Sequence, residues 1–114
     1  MIEVPLEFHD LRQMKLWRKI IYDIYDKYQE VFEERGLDDE LRNLLNSLDE
    51  LLNILSIKAP YELKITKTKE FMDELERFRV HALKHVGIIA NQLCKDIEEE
   101  VFFILRYKEA DQNV

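Results

Sequence analysis

Two short acidic clusters carry most of the chemistry this chain could perform. Asp49 and Glu50 stand together with Asn53 just beyond them, and Glu70 is followed three and four positions on by Asp73 and Glu74. On a helix, residues three and four apart share a face, so each cluster aims its oxygens in one direction. If the two helices run antiparallel around the residues between them, those faces meet at one end. Carboxylates crowded in that way repel one another unless a cation lies between them. Magnesium suits such a place, because it takes carboxylate oxygens and waters and completes its shell with a substrate phosphate. The connecting residues hold Lys58, Lys64, Lys67 and Lys69 against one acid, Glu62. Lysines beside a metal could hold the rest of a phosphate chain. The same acids also have a plainer reading, as solvated surface and, for Glu70 and Asp73, as complements to the dipole of a first helical turn.

This arrangement resembles the all-α nucleoside triphosphate pyrophosphatases of the MazG-like superfamily. Those proteins carry Glu-Glu-x-x-Glu on one helix and, after a spacer, Glu-x-x-Asp on the next. Glu70-Phe71-Met72-Asp73 matches the second half. Asp49-Glu50-Leu51-Leu52-Asn53 stands in the place of the first, with aspartate and asparagine at two glutamate positions. Asp39-Glu40-Leu41-Arg42-Asn43 matches as well, and the copy at 49 is preferred because it lies nearer the lysines. The resemblance spans about residues 38–90. It implies a magnesium-dependent nucleotide pyrophosphohydrolase, or a degenerate, inactive relative, since the third acid of the first half is missing. Under it, Asp49, Glu50, Glu70 and Asp73 hold Mg2+, and Glu74 orients or deprotonates the attacking water. Lys64 and Lys67 then grip the triphosphate of the substrate, and a second copy of the chain completes the bundle. The competing expectation is a non-catalytic helical homodimer that serves as an interaction or scaffold protein.

Two further constellations are weaker. His81 and His85 are four apart on one helical face, a spacing that can hold a metal, but no third ligand follows and a structural pair is the simpler reading. Arg79 with His85 resembles the arginine–histidine element of HEPN ribonucleases, with Val80 where a polar residue is usual. His9-Asp10 lacks the further histidines and aspartates of a phosphohydrolase site. No glycine-rich phosphate loop and no cysteine pair is present.

The elements that must position these residues are helices. Only Gly36, Gly87, Pro5 and Pro60 interrupt 114 residues. Met14, Trp17, Ile21, Ile24, Tyr28 and Val31 step by three and four, widened by Ile20, Tyr25 and Phe32. Gly36 reads as a left-handed cap and Asp38 as the N-cap of the next helix, whose stripe is Leu41, Leu44, Leu45, Leu48, Leu51, Leu52 and Leu55. In residues 57–68, Tyr61, Leu63 and Ile65 alternate with polar residues, which predicts a short extended piece or ordered loop. From residue 69 to 107 the helical spacing runs without a slip, which predicts a single helix of roughly 55 Å, with a frayed tail from Glu109 to Val114. The fold class is therefore all-α: one domain over residues 1–114, an antiparallel bundle of three to five helices with a very long C-terminal helix. The second half of that helix would stay partly bare in one copy, which predicts completion by dimerisation. A bend at Gly87 that lets the chain cover itself is the alternative.

Composition limits the partners. The net charge of −7 argues against a general nucleic-acid or membrane-surface binder. The longest purely apolar run, residues 101–105, is far shorter than a membrane span. The opening residues have no signal-peptide pattern, and Cys94 has no second cysteine to pair with, so a reducing cytoplasmic setting is expected.

Overall fold

The computed structural model describes the backbone of residues 6–112 and the side chains of residue 12 and residues 14–105. The described residues form four helices: α1 (Leu6–Glu34), α2 (Asp38–Ser56), α3 (Tyr61–Val86) and α4 (Ile88–Gln112). The His9-Asp10 side chains lie outside the described residues, as do Asn113 and Val114 of the tail. The part of that tail expected to fray remains helical to Gln112.

Each connection reverses the chain, and cross-helix partners recede from the turns in step. Arg42 meets Tyr25 across the α1–α2 hairpin, and further from the turn Asp49 meets Arg18. Ser47 meets Glu74 and Glu40 meets His81 across the α2–α3 hairpin. Lys27 and Tyr28 of α1 reach Asp96 of α4, which closes the bundle. The result measures 54 × 24 × 18 Å.

The first turn is built as expected at Gly36 and differs one residue later. Gly36, at φ 72°, donates to Glu33 O at 3.1 Å, and Leu37 N–H donates to Phe32 O at 2.8 Å. This pair of bonds satisfies two of the last carbonyls of α1. Leu37 then accepts from Leu41 N–H at 3.0 Å, so it ends one helix and opens the next. Asp38, expected as the N-cap, lies inside the first turn with Asp39 and Glu40 and leaves its dipole role intact.

The leucine stripe of α2 is buried throughout and forms the centre of the core with Trp17, Ile24, Tyr28 and Phe32 of α1. Phe32 stacks on Phe78 of α3 at 5.9 Å between ring centroids. In α4, Ala90, Leu93, Cys94, Ile97, Val101 and Ile104 face inward.

Two expectations fail, each for an identifiable reason. Residues 61–68 are helix, not an extended piece or loop. Pro60 stands at the N-cap and its carbonyl accepts from Leu63 and Lys64 N–H at 3.0 and 3.2 Å. The period-two pattern misled because hydropathy is inverted here: Tyr61 and Leu63 are exposed while Lys64 and Thr68 are buried. Thr68 Oγ1 satisfies itself on Lys64 O at 2.8 Å, four residues back.

The very long C-terminal helix is also overturned. Gly87, at φ 62° and ψ −136°, adopts a backbone open to glycine and strained for other residues. The chain reverses there, and the apolar seam slips by one: Ile89 is partly exposed and Ala90 is buried. Reversal lets the chain cover most of the face thought to need a second copy. Ile97 and Val101 are fully buried, Leu105 is half-buried, and Phe102 and Phe103 face outward. Among the described residues no helix is long and apolar enough to cross a membrane.

Candidate functional site

The antiparallel pairing of α2 and α3 creates a shallow groove of about 180 Å³. Ser47, Glu50, Leu51 and Ile54 line it from α2, and Lys67, Glu70, Phe71 and Glu74 line it from α3. These are helical spacings on both sides, so the groove follows directly from the register. Glu74 Oε1 accepts from Ser47 Oγ at 3.1 Å, and Lys67 Nζ pairs with Glu70 Oε2 at 3.2 Å. Glu50, Glu70 and Glu74 therefore share one groove with Lys67.

The other expected site residues go elsewhere. Asp49 faces the groove between α1 and α2, where Arg18 Nε lies 3.9 Å from its Oδ1. Asp73 is exposed and lines neither groove. Lys64 turns inward: it is 7% exposed and its Nζ donates to Leu55 O at 3.3 Å, near the C-terminal end of α2. An ammonium there complements the negative end of a helix dipole. Magnesium needs oxygens from several groups within one coordination sphere. Among the described residues no group of three or more Asp, Glu, His or Cys is arranged to hold a metal ion. Of the quartet Asp49, Glu50, Glu70 and Asp73, only Glu50 and Glu70 line the same groove.

His81 and His85 are a T-shaped ring pair, 5.2 Å between centroids. His81 Nδ1 lies 2.8 Å from Glu40 Oε2 on α2, so its partner comes from the neighbouring helix. Arg79 Nε donates to Glu76 Oε2 at 2.9 Å on its own helix, which holds the Glu76 carboxyl below its ordinary value. The arginine and histidine of the ribonuclease-like element thus have separate partners.

Two clefts escaped the sequence reading. Between α1 and α4, Asp96 accepts from Tyr28 Oη at 2.6 Å, Gln92 Nε2 at 3.0 Å and Lys27 Nζ at 3.3 Å. Burial pushes the Asp96 carboxyl up, but these hydrogen bonds outweigh it and leave the carboxyl below its ordinary value. Glu100, in the same cleft, is pushed up by burial.

A second cleft, of about 460 Å³, lies between α1 and α2. Arg18, Ile21, Tyr22 and Tyr25 line one wall; Arg42, Leu45, Asn46 and Asp49 line the other. Its signal in the sequence was the three- and four-residue spacing of Arg18, Tyr22 and Tyr25 opposite that of Arg42, Asn46 and Asp49. The tyrosines read as core packing, and Tyr22 is 67% exposed.

Compared with protein-family models, with curated proteins and with solved structures, the chain matches none.

Proposed function

We propose that this protein is a non-catalytic four-helix bundle that works by binding. The observation that supports the reading is that Asp49 lines a different groove from Glu50 and Glu70, since a phosphate-cleaving magnesium site needs its carboxylates on one ion. A thermal melt with magnesium and a non-hydrolysable nucleoside triphosphate tests it. A ligand selective for the native state raises apparent stability. This reading expects an unchanged melting temperature.

Self-association belongs to the same proposal. Phe102 and Phe103 are 49% and 68% exposed on the outer side of α4, and adjacent exposed aromatic rings favour a protein contact. A second copy is the expected partner. Sedimentation equilibrium should give a dimer for the wild type and a monomer for Phe103→Glu; a wild-type monomer at all concentrations removes this part.

A second reading, the nucleotide pyrophosphohydrolase, draws support from Glu50, Glu70 and Glu74 sharing a groove with Lys67. It expects the melt to rise by several degrees with magnesium and nucleotide, and the rise to vanish in Glu70→Gln.

A further inference from the structure

The α1–α2 cleft has the chemistry of a ligand site. Its floor is apolar, with Leu45 buried and Ile21 half-buried. Its volume of about 460 Å³ suits a small molecule. Two guanidiniums stand at its walls with weak partners. Among the described residues Arg42 Nη2 reaches Tyr25 Oη at 3.5 Å, and its charge feels Asp39 and Asp38 from a distance. Arg18 meets Asp49 at 3.9 Å, the outer edge of an ion pair, with both side chains well exposed. Exposed pairs of this kind give little stability. Tyr22 and Tyr25 stand between the arginines along α1, and Tyr22 leaves its ring open to solvent.

We propose that this cleft binds a small flat organic anion, a carboxylate or phosphate carried on an aromatic ring. The planar fork of Arg42, joined by Arg18, takes the anionic group, because a guanidinium binds two oxygens at once. The ring lies against Tyr22 and Tyr25 over Ile21 and Leu45, where stacking and burial add to the charge contact. Asn46 offers an amide to the ligand's polar edge. Asp49 limits the cleft's surplus to one positive charge, which favours a compact anion over a polyphosphate. None of these residues lines the Glu70 groove or belongs to the Phe102–Phe103 surface, so this proposal stands apart from both readings above.

The test is a titration followed by amide chemical shifts, with phenyl phosphate and benzoate as probes. Benzyl alcohol serves as a ring without charge, and inorganic phosphate as charge without a ring. Saturable shifts at Tyr22, Tyr25, Leu45 and Asn46 are expected with one or both probes, with each control at least about tenfold weaker. Arg42→Ala should weaken probe binding by about tenfold or more. Asp49→Asn should tighten it, because removing the acid doubles the cleft's net charge; a residue that merely braced Arg18 would do the reverse. Absence of saturable shifts in the wild type overturns the proposal. So does equal binding by benzyl alcohol, or unchanged binding in Arg42→Ala whose spectrum elsewhere matches the wild type.

Discussion

Asp49 and Glu50 are consecutive in the chain and face different grooves. Asp49 sits near Arg18 between α1 and α2, while Glu50 lines the groove between α2 and α3 opposite Glu70. A helix turns about 100° per residue, and α2 is flanked by a helix on each side. Neighbouring positions at the edges of its buried leucine stripe therefore serve different partners. Asp49 and Glu50, though adjoining in sequence, thus line different grooves in this bundle.

Lys64 is a structural cation. Its Nζ lies buried against Leu55 O, and a hydrogen bond from a charged group contributes about 1.5–3 kcal/mol. Lys64→Ala should lower the free energy of unfolding by about 2 kcal/mol in a urea titration. A change below about 0.5 kcal/mol, the size usual for surface substitutions, would show that the bond is not held in solution.

Gly87 sets the reversal between α3 and α4. A Cβ there would meet nothing within 4 Å, so the cost of Gly87→Ala is backbone strain alone. Its φ of 62° with ψ of −136°, a region sparsely populated by other residues, makes that cost about 1–3 kcal/mol. A stabilised Gly87→Ala variant would mean that α3 and α4 run on as one helix.

Cys94 should be inert in the native protein. Burial pushes its thiol up to about 12. The thiolate is the reactive form, so alkylation at pH 8 should be negligible until denaturant is added. Rapid labelling of the native protein would place α4 away from the core.

Asp96 provides a pH signature. Its carboxyl is held below the ordinary value in the folded state, so its contribution is present above the unfolded value and is lost as pH falls through the folded one. Asp96→Asn should cost about 1 kcal/mol at pH 7. The gap between variant and wild type should close below about pH 4, near the ordinary aspartate value. Glu100 shifts the opposite way but is common to both proteins and drops out of the difference. A gap that stays constant to pH 3 would contradict the clasp.

Helical periodicity made most of the fold legible. The α2 leucines and the Gly36 turn follow from residue spacing, because apolar burial and the left-handed cap leave strong local marks. The α3 start did not, because Lys64 and Thr68 bury polar side chains and bond them to backbone carbonyls, which hydropathy cannot anticipate. Gly87 did not either: a lone glycine marks a reversal only when the helices beyond it can pack, and that is a tertiary fact. For the site, spacing identified which acids lie on helices. It did not tell which neighbour each edge of α2 would meet, and so it grouped Asp49 with Glu70. The arginine–tyrosine cleft was hidden because its residues come from two helices and match no single motif.

Pyrophosphate release from a panel of nucleoside triphosphates with magnesium, measured for the wild type and Glu70→Gln, tests the central claim most directly. A protein that works by binding gives no release above background with either chain. Magnesium-dependent release by the wild type that disappears in Glu70→Gln would contradict it.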